Sequence, residues 1–214
     1  MKYKRPDPHA IILSLIPALF ISVLFVMNSS QSFADEPVVE TGENPETRLK
    51  YWLYDNNGFF LKLTQRLPDQ TRAYFEARGF DQASSDIAGT SCIFQTMIKN
   101  TGTDSGVVMN ADLSDWKVVS GGNSKSLLLR EYWKKLWLDR KQSQSARVAF
   151  EWSLLPTNIQ YDVNDYNWGM SSYGLPPGSH FDLLFSWTRK GEHYNGKISD
   201  VICPDDIHPE PLSQ

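Results

Sequence analysis

The chain has 214 residues, a net charge of −4 and an aromatic content of 13%, with seven Trp. This aromatic content supplies enough apolar area for one ordinary hydrophobic core, which excludes a disordered chain. The acidic balance disfavours a nucleic-acid partner, because phosphate binding needs a basic surface.

Residues 1–34 have the pattern of a signal peptide. A basic start at Lys2 precedes an apolar run from Ala10 to Met27, and the small residues Ser32 and Ala34 suit a signal peptidase that cuts after Ala34. We therefore predict an exported protein, periplasmic or extracellular. The alternative is an uncleaved N-terminal membrane anchor, because the apolar run approaches the ~20 residues that span a bilayer.

Cleavage after Ala34 leaves 18 Lys and Arg against 24 Asp and Glu, and no later apolar run long enough to predict a membrane span. The two cysteines, Cys92 and Cys203, both belong to this exported part. An oxidising compartment favours their pairing, so we predict one disulfide. A metal site or a redox pair is the alternative, although a redox pair usually has the spacing Cys-x-x-Cys.

The N-terminal part of the mature chain is predicted to be an acidic leader, 35–43, followed by a mainly helical segment, 44–89. Asn44 and Pro45 suit a helix start that would end at Asn57-Gly58. A second helix is expected near 60–65. A third is expected to begin at Pro68 and to end at Gly79.

Residues 90–203 carry runs typical of strands, with one helix predicted at 124–141. A hairpin turn is expected at 189–192. The predicted strands are 92–98, 107–113, 116–119, 147–154, 159–163, 180–187 and 194–203. We therefore predict an α+β, mainly β fold: an immunoglobulin-like or related antiparallel β-sandwich with a helical N-terminal segment and one inserted helix. Residues 44–203 form the single mature domain, and 204–214 are predicted to be a flexible tail.

No catalytic motif stands out. The segment from Gly169 to Gly174 is a near miss for G-x-S-x-G, because its second Gly comes one residue too late and the strand-turn-helix pattern of a nucleophile elbow is lacking around it. The histidines lack zinc spacing, and the carboxylate pairs, such as Asp112 with Asp115, lie in turn-like segments. The sequence thus favours a non-enzymatic protein, with an exported hydrolase kept as an alternative.

The most unusual segment is the predicted loop 165–178, which concentrates aromatic and amide groups. Binding residues often gather on loops of a rigid β scaffold, and this composition suits a sugar or peptide. The candidate binding residues are Tyr166, Asn167, Trp168 and Tyr173. The alternative, which the sequence favours, is that Tyr166 and Trp168 fold inward and plug the end of the sandwich.

Copper handling in the periplasm is a further alternative, since thioether and imidazole groups select copper. Met170 and His180 are the candidate ligands, but a Met among strand residues usually fills a core. We therefore predict no cofactor, with copper as the alternative. The leading hypothesis is an exported non-enzymatic binding or accessory domain for a protein, peptide or glycan.

Overall fold

The computed structural model describes residues 36–207, which form two antiparallel sheets and four α-helices. The predicted signal peptide, 1–34, and residues 208–214 of the predicted tail lie outside this part of the chain. The first four residues of that tail are described. Arg72 pairs with Asp206 at 2.6 Å, which ties this segment to the first helix.

The first sheet contains five strands in the order β1-β2-β3-β4-β9. Their bounds are β1 Val38–Glu43, β2 Lys50–Asn56, β3 Phe59–Gln65, β4 Ile93–Asn100 and β9 Tyr166–Ser172. Every pair is antiparallel, and β9 is an edge strand that pairs with β4 along its length.

The second sheet contains six strands, with β10 at its centre paired to β5, β6 and β11. Their bounds are β5 Met109–Asp112, β6 Lys117–Ser120, β7 Asn123–Ser126, β8 Asn158–Tyr161, β10 His180–Arg189 and β11 Glu192–Ile202. The strands β7 and β8 pair with β6 and β5.

The two sheets pack face to face because their strands alternate buried and half-exposed residues. Phe59 of β3 stacks on Trp187 of β10 with ring centroids 4.6 Å apart, and Tyr54 of β2 meets Phe185 edge-on at 4.9 Å. This aromatic layer is the main core, so the described part of the chain is consistent with a β-sandwich.

A second core joins the helices α1 Pro68–Glu76, α2 Gln82–Gly89, α3 Arg130–Asp139 and α4 Gln144–Ser153. Phe75 of α1 stacks on Phe150 of α4 at 4.3 Å. The same cluster includes Ile93 of β4 and Met170 of β9, which lie on the face of the first sheet that points away from the second. The helices therefore cover one end of that outer face.

The predicted disulfide is confirmed. Cys92, just before β4, is bonded to Cys203, just after β11, with Cα atoms 5.2 Å apart. The bond connects the two sheets at a single point of the buried core.

The prediction that residues 44–89 are mainly helical is wrong for its first half. Trp52 and Leu53 belong to β2, residues 60–65 to β3, and Asn57-Gly58 forms the turn between these strands with positive φ at both positions. Asn-Gly is a strong hairpin signal. In addition, buried apolar residues alternate with half-exposed ones along these segments, as in a strand, and this pattern was more decisive than the helical spacing of a few apolar residues. The helix beginning at Pro68 is confirmed as α1.

Three other segments differ from prediction. Residues 147–154 lie mostly in α4 rather than a strand, because Phe150 completes the helical core. The helix predicted at 124–141 begins only at Arg130, since β7 precedes it. The predicted acidic leader contains β1, and the predicted loop 165–178 begins with β9.

The immunoglobulin-like topology is not confirmed. An immunoglobulin domain distributes its strands so that neighbours in sequence often lie in opposite sheets. Here β1, β2, β3 and β4 are consecutive neighbours in one sheet. In the described residues, α1 and α2 belong to the predicted N-terminal helical segment, and two inserted helices, α3 and α4, are present where one was predicted.

Candidate ligand-binding site

Trp168 and Tyr166 project from the edge strand of the first sheet into solvent. Trp168 is 68% exposed and Tyr166 is 62% exposed. They occupy alternate positions of β9 and therefore share one face, the outer face that the helices leave open beyond Met170. The interpretation that these two rings plug the sandwich is thus wrong.

The other candidate binding residues have different positions. Asn167 is half-buried and lies between Tyr166 and Trp168 on β9, so it belongs to the opposite face of the strand, where it pairs with Ile98 of β4. Tyr173 is fully buried between the sheets, where its ring lies 4.8 Å from that of Phe181. Burial raises the pKa of the Tyr173 hydroxyl, which accepts a hydrogen bond from Ser171 at 3.0 Å. Tyr173 therefore supports the core and does not reach the exposed surface around Trp168.

The two candidate copper ligands are not brought together. Met170 is buried in the helical cluster, whereas His180 is exposed on the second sheet with its Nδ1 2.6 Å from Asp200 Oδ1. Within residues 36–207, no three or more His, Cys, Asp and Glu side chains are grouped so that they could hold a metal ion. Asp112, one of the paired carboxylates noted in the sequence, caps a local turn, because its carboxylate accepts a hydrogen bond from the backbone amide of Ser114 at 2.9 Å.

Helix α4 presents a second exposed indole. Phe150 points into the helical core, and Trp152, two residues later on a 3.6-residue period, lies on nearly the opposite side of the helix. Trp152 is 82% exposed. The helical packing that buries Phe150 is therefore what directs Trp152 outward.

The chain that leaves α4 crosses the edge of β9. Leu155 donates its amide hydrogen to the carbonyl of Met170 at 2.9 Å. Gly169 allows this approach, because a Cβ atom there would lie 2.9 Å from the Leu155 backbone nitrogen. The end of α4 and the edge of β9 are thus held side by side.

A cleft of about 330 Å³ lies at this junction, with Trp152 and Trp168 both on its walls. This volume is within the range of pockets for small ligands. The remaining lining residues are Arg130, Glu151, Leu154, Leu155, Pro156 and Asn167. We call this feature the tryptophan cleft.

The polar groups of the tryptophan cleft are only partly used by the protein. Arg130 donates from Nη2 to the carbonyl of Leu154, and its Nε is buried without an acceptor among residues 36–207. The side chains of Glu151 and Asn167 have no hydrogen-bond partner in the same described region, although both are half-exposed. The cleft therefore offers a carboxylate and an amide that are open to a ligand.

Charge around the cleft is locally positive. A second groove of about 220 Å³ runs between α3 and α4 and shares Arg130 and Glu151 with the tryptophan cleft. Lys134 and Arg147 also line it. Burial lowers the pKa of the Arg130 guanidinium, and the nearby carboxylates of Glu151 and Glu131 oppose this shift. Three cations thus outnumber the two nearby carboxylates around this groove, on a chain that is acidic as a whole.

Comparison with protein-family models, with curated proteins and with solved structures finds no match to this chain. The proposed function below therefore rests on the fold and the surface of this chain. Between residues 36 and 207, none of the helices has the length and apolar character needed to cross a membrane.

Sequence reasoning identified one wall of the cleft and missed the other. Trp152, Glu151 and Arg130 were not among the candidate residues, because the segment around Trp152 alternates apolar and polar residues like a strand. A usable signal was present in Ala146 and Phe150, which are four residues apart and form the buried stripe of α4. A helix with that stripe leaves Trp152 exposed.

Proposed function

We propose that this protein is an exported, non-enzymatic binding domain and that its ligand occupies the tryptophan cleft. The proposal rests on the difference in solvent exposure among its seven Trp side chains. Five are buried to 2% exposure or less, and the other two, Trp152 and Trp168, line one concave site. Exposed aromatic rings gathered in a cleft are typical of binding surfaces, where a partner removes them from water.

The scaffold supports this role. The cleft is formed by a helix and a strand that are anchored in the same hydrophobic core, α4 through Phe150 and β9 through Met170, so its walls are positioned before a ligand arrives. The disulfide agrees with export to an oxidising compartment, as does the signal-like pattern of residues 1–34.

The test compares wild-type protein with Trp152→Ala, Trp168→Ala and the double variant on immobilised oligosaccharide and peptide libraries. We expect wild-type protein to bind members of one library and the double variant to lose at least ~10-fold in affinity, as for residues central to an interface. Leu184→Ala is the matched control, because Leu184 is a partly exposed apolar residue on the second sheet and outside the cleft.

Two outcomes would contradict the proposal. One is binding that survives loss of both indoles, and the other is the absence of binding to either library. Far-ultraviolet circular dichroism and the unfolding midpoint of each variant show whether the fold is retained.

A further inference from the structure

The chemistry of the tryptophan cleft narrows the class of ligand, and this step rests on the proposed function. Two largely exposed indole rings line the cleft together with a carboxylate, Glu151, and an amide, Asn167, which lines it from the opposite face of the edge strand. Neither of these two polar side chains has a hydrogen-bond partner among the described residues. A ligand that fits must therefore offer apolar faces and hydroxyl-like groups within the same small volume. From this combination we infer that the protein binds an oligosaccharide.

A pyranose ring meets both demands at once. Its C–H groups form apolar faces that stack on an indole, and its hydroxyl groups lie around the rim, where they donate to carboxylate oxygens and bond with amides. Trp152 and Trp168 supply the stacking surfaces. Glu151 accepts from hydroxyl groups, and Asn167 both donates and accepts.

An apolar side chain or lipid tail fits the same cleft less well. It would cover the indoles but would also remove water from Glu151 and Asn167 without replacing the lost hydrogen bonds. Leaving a buried acceptor unpaired costs more than a typical hydrogen bond contributes, and a carboxylate costs the most. Sugar hydroxyl groups replace the water instead of excluding it.

The surface next to the cleft indicates a ligand longer than one ring. Tyr166 lies two residues from Trp168 on the same face of β9, at a spacing of about 7 Å along the strand. It is exposed but does not line the cleft. A sugar chain stacked on Trp168 that continues along β9 would place another unit over Tyr166.

The experiment uses the protein recovered after export and an array of neutral, amino and uronic-acid oligosaccharides, with a peptide library in parallel. The strongest sugar is then titrated by calorimetry and by indole fluorescence. We expect Trp168→Ala to weaken binding at least ~10-fold and Trp168→Phe, which keeps an aromatic face, to weaken it by only about 3-fold. Longer chains of the same sugar should bind more tightly, and Tyr166→Ala should remove that advantage.

The polar contacts have their own variants. Glu151→Gln keeps the shape but removes the charge, and Asn167→Ala removes the amide. Each should weaken binding about 2- to 10-fold, the range for one hydrogen bond. Leu184→Ala should leave the affinity unchanged.

Three results would overturn this inference, and the first of them leaves the proposed function intact. Peptide binding that depends on Trp152 and Trp168, with no sugar bound, would refute the oligosaccharide assignment and leave the binding function standing. Sugar binding that survives Trp168→Ala and Glu151→Gln would place the sugar elsewhere and refute the assignment as well. The absence of binding to either library would refute both.

Discussion

The exposure of Trp168 makes a prediction about stability that distinguishes a surface indole from a core indole. Only about a third of this side chain is covered in the fold. A Trp buries up to ~250 Å² when fully enclosed, so Trp168→Ala gives up roughly 80 Å² at most. At ~25 cal/mol per Å² the upper limit is about 2 kcal/mol. We expect a loss of about 1 kcal/mol, because unfolded chains already bury part of this area.

Trp187→Ala is the matched comparison. Trp187 is 2% exposed and stacks on Phe59 with centroids 4.6 Å apart and on Tyr194 at 5.4 Å. Truncating a buried Trp to Ala costs about 3–5 kcal/mol, because a cavity remains in addition to the lost transfer energy. The two substitutions should thus differ several-fold in their effect on the free energy of unfolding.

Urea unfolding of the two variants, followed by circular dichroism and extrapolated with a common slope, measures both losses. In thermal scans, each 1 kcal/mol should correspond to a shift of about 2–4 °C for a domain of this size. Equal losses for the two variants would show that Trp168 is buried in the folded protein. The argument that it forms a binding surface would then fail.

Three further predictions concern the scaffold. Replacing Cys92 and Cys203 by Ser should cost up to about 4–5 kcal/mol in the chain-entropy model, because the bond closes a loop of 111 residues; an unfolding midpoint unaffected by the double replacement would contradict this. Gly169→Ala should cost about 1–3 kcal/mol, since the added Cβ forces the Leu155 backbone away from β9; it should also weaken ligand binding, and a variant as stable as wild type with unchanged affinity would count against this packing. Hydrogen bonds, chiefly from Gln142, lower the pKa of Asp81, so the native state favours its ionised form. That stabilisation is complete above the unfolded-state pKa of ~3.9 and is lost as pH falls through the lower native value. Asp81→Asn should therefore reduce the loss of stability below about pH 4 in urea titrations, and identical pH profiles would disprove this role.

Local signals in the sequence were sufficient for some elements. The two cysteines allow one intramolecular pairing, which is the pairing observed. The turn Lys190-Gly191 has positive φ at both positions and joins β10 to β11, as its composition predicted. The turn depends on a few adjacent residues, and the disulfide follows because two cysteines can form only one intramolecular pair. Neither prediction required knowledge of the packed fold.

Periodicity failed where two patterns coexist in one segment. Val148, Phe150 and Trp152 alternate as in a strand, while Ala146 and Phe150 have helical spacing. The helix forms because it brings Phe150 onto Phe75, whose ring is 4.3 Å away in a helix more than 70 residues earlier in the chain. Local propensity contains no information about that contact.

The candidate site, too, was predictable from the sequence only in part. The sequence by itself determined that Tyr166, Asn167 and Trp168 form an unusual aromatic and amide segment. Only the tertiary structure showed that this segment is an edge strand. On one side of the strand, Trp168 pairs with Met97 of β4. On the other side, the chain that follows α4 reaches β9 only at Met170. Exposure and proximity are properties of the assembled fold. The meeting of Trp152 with Trp168 therefore depends on contacts between distant segments, which the pattern of neighbouring residues does not encode.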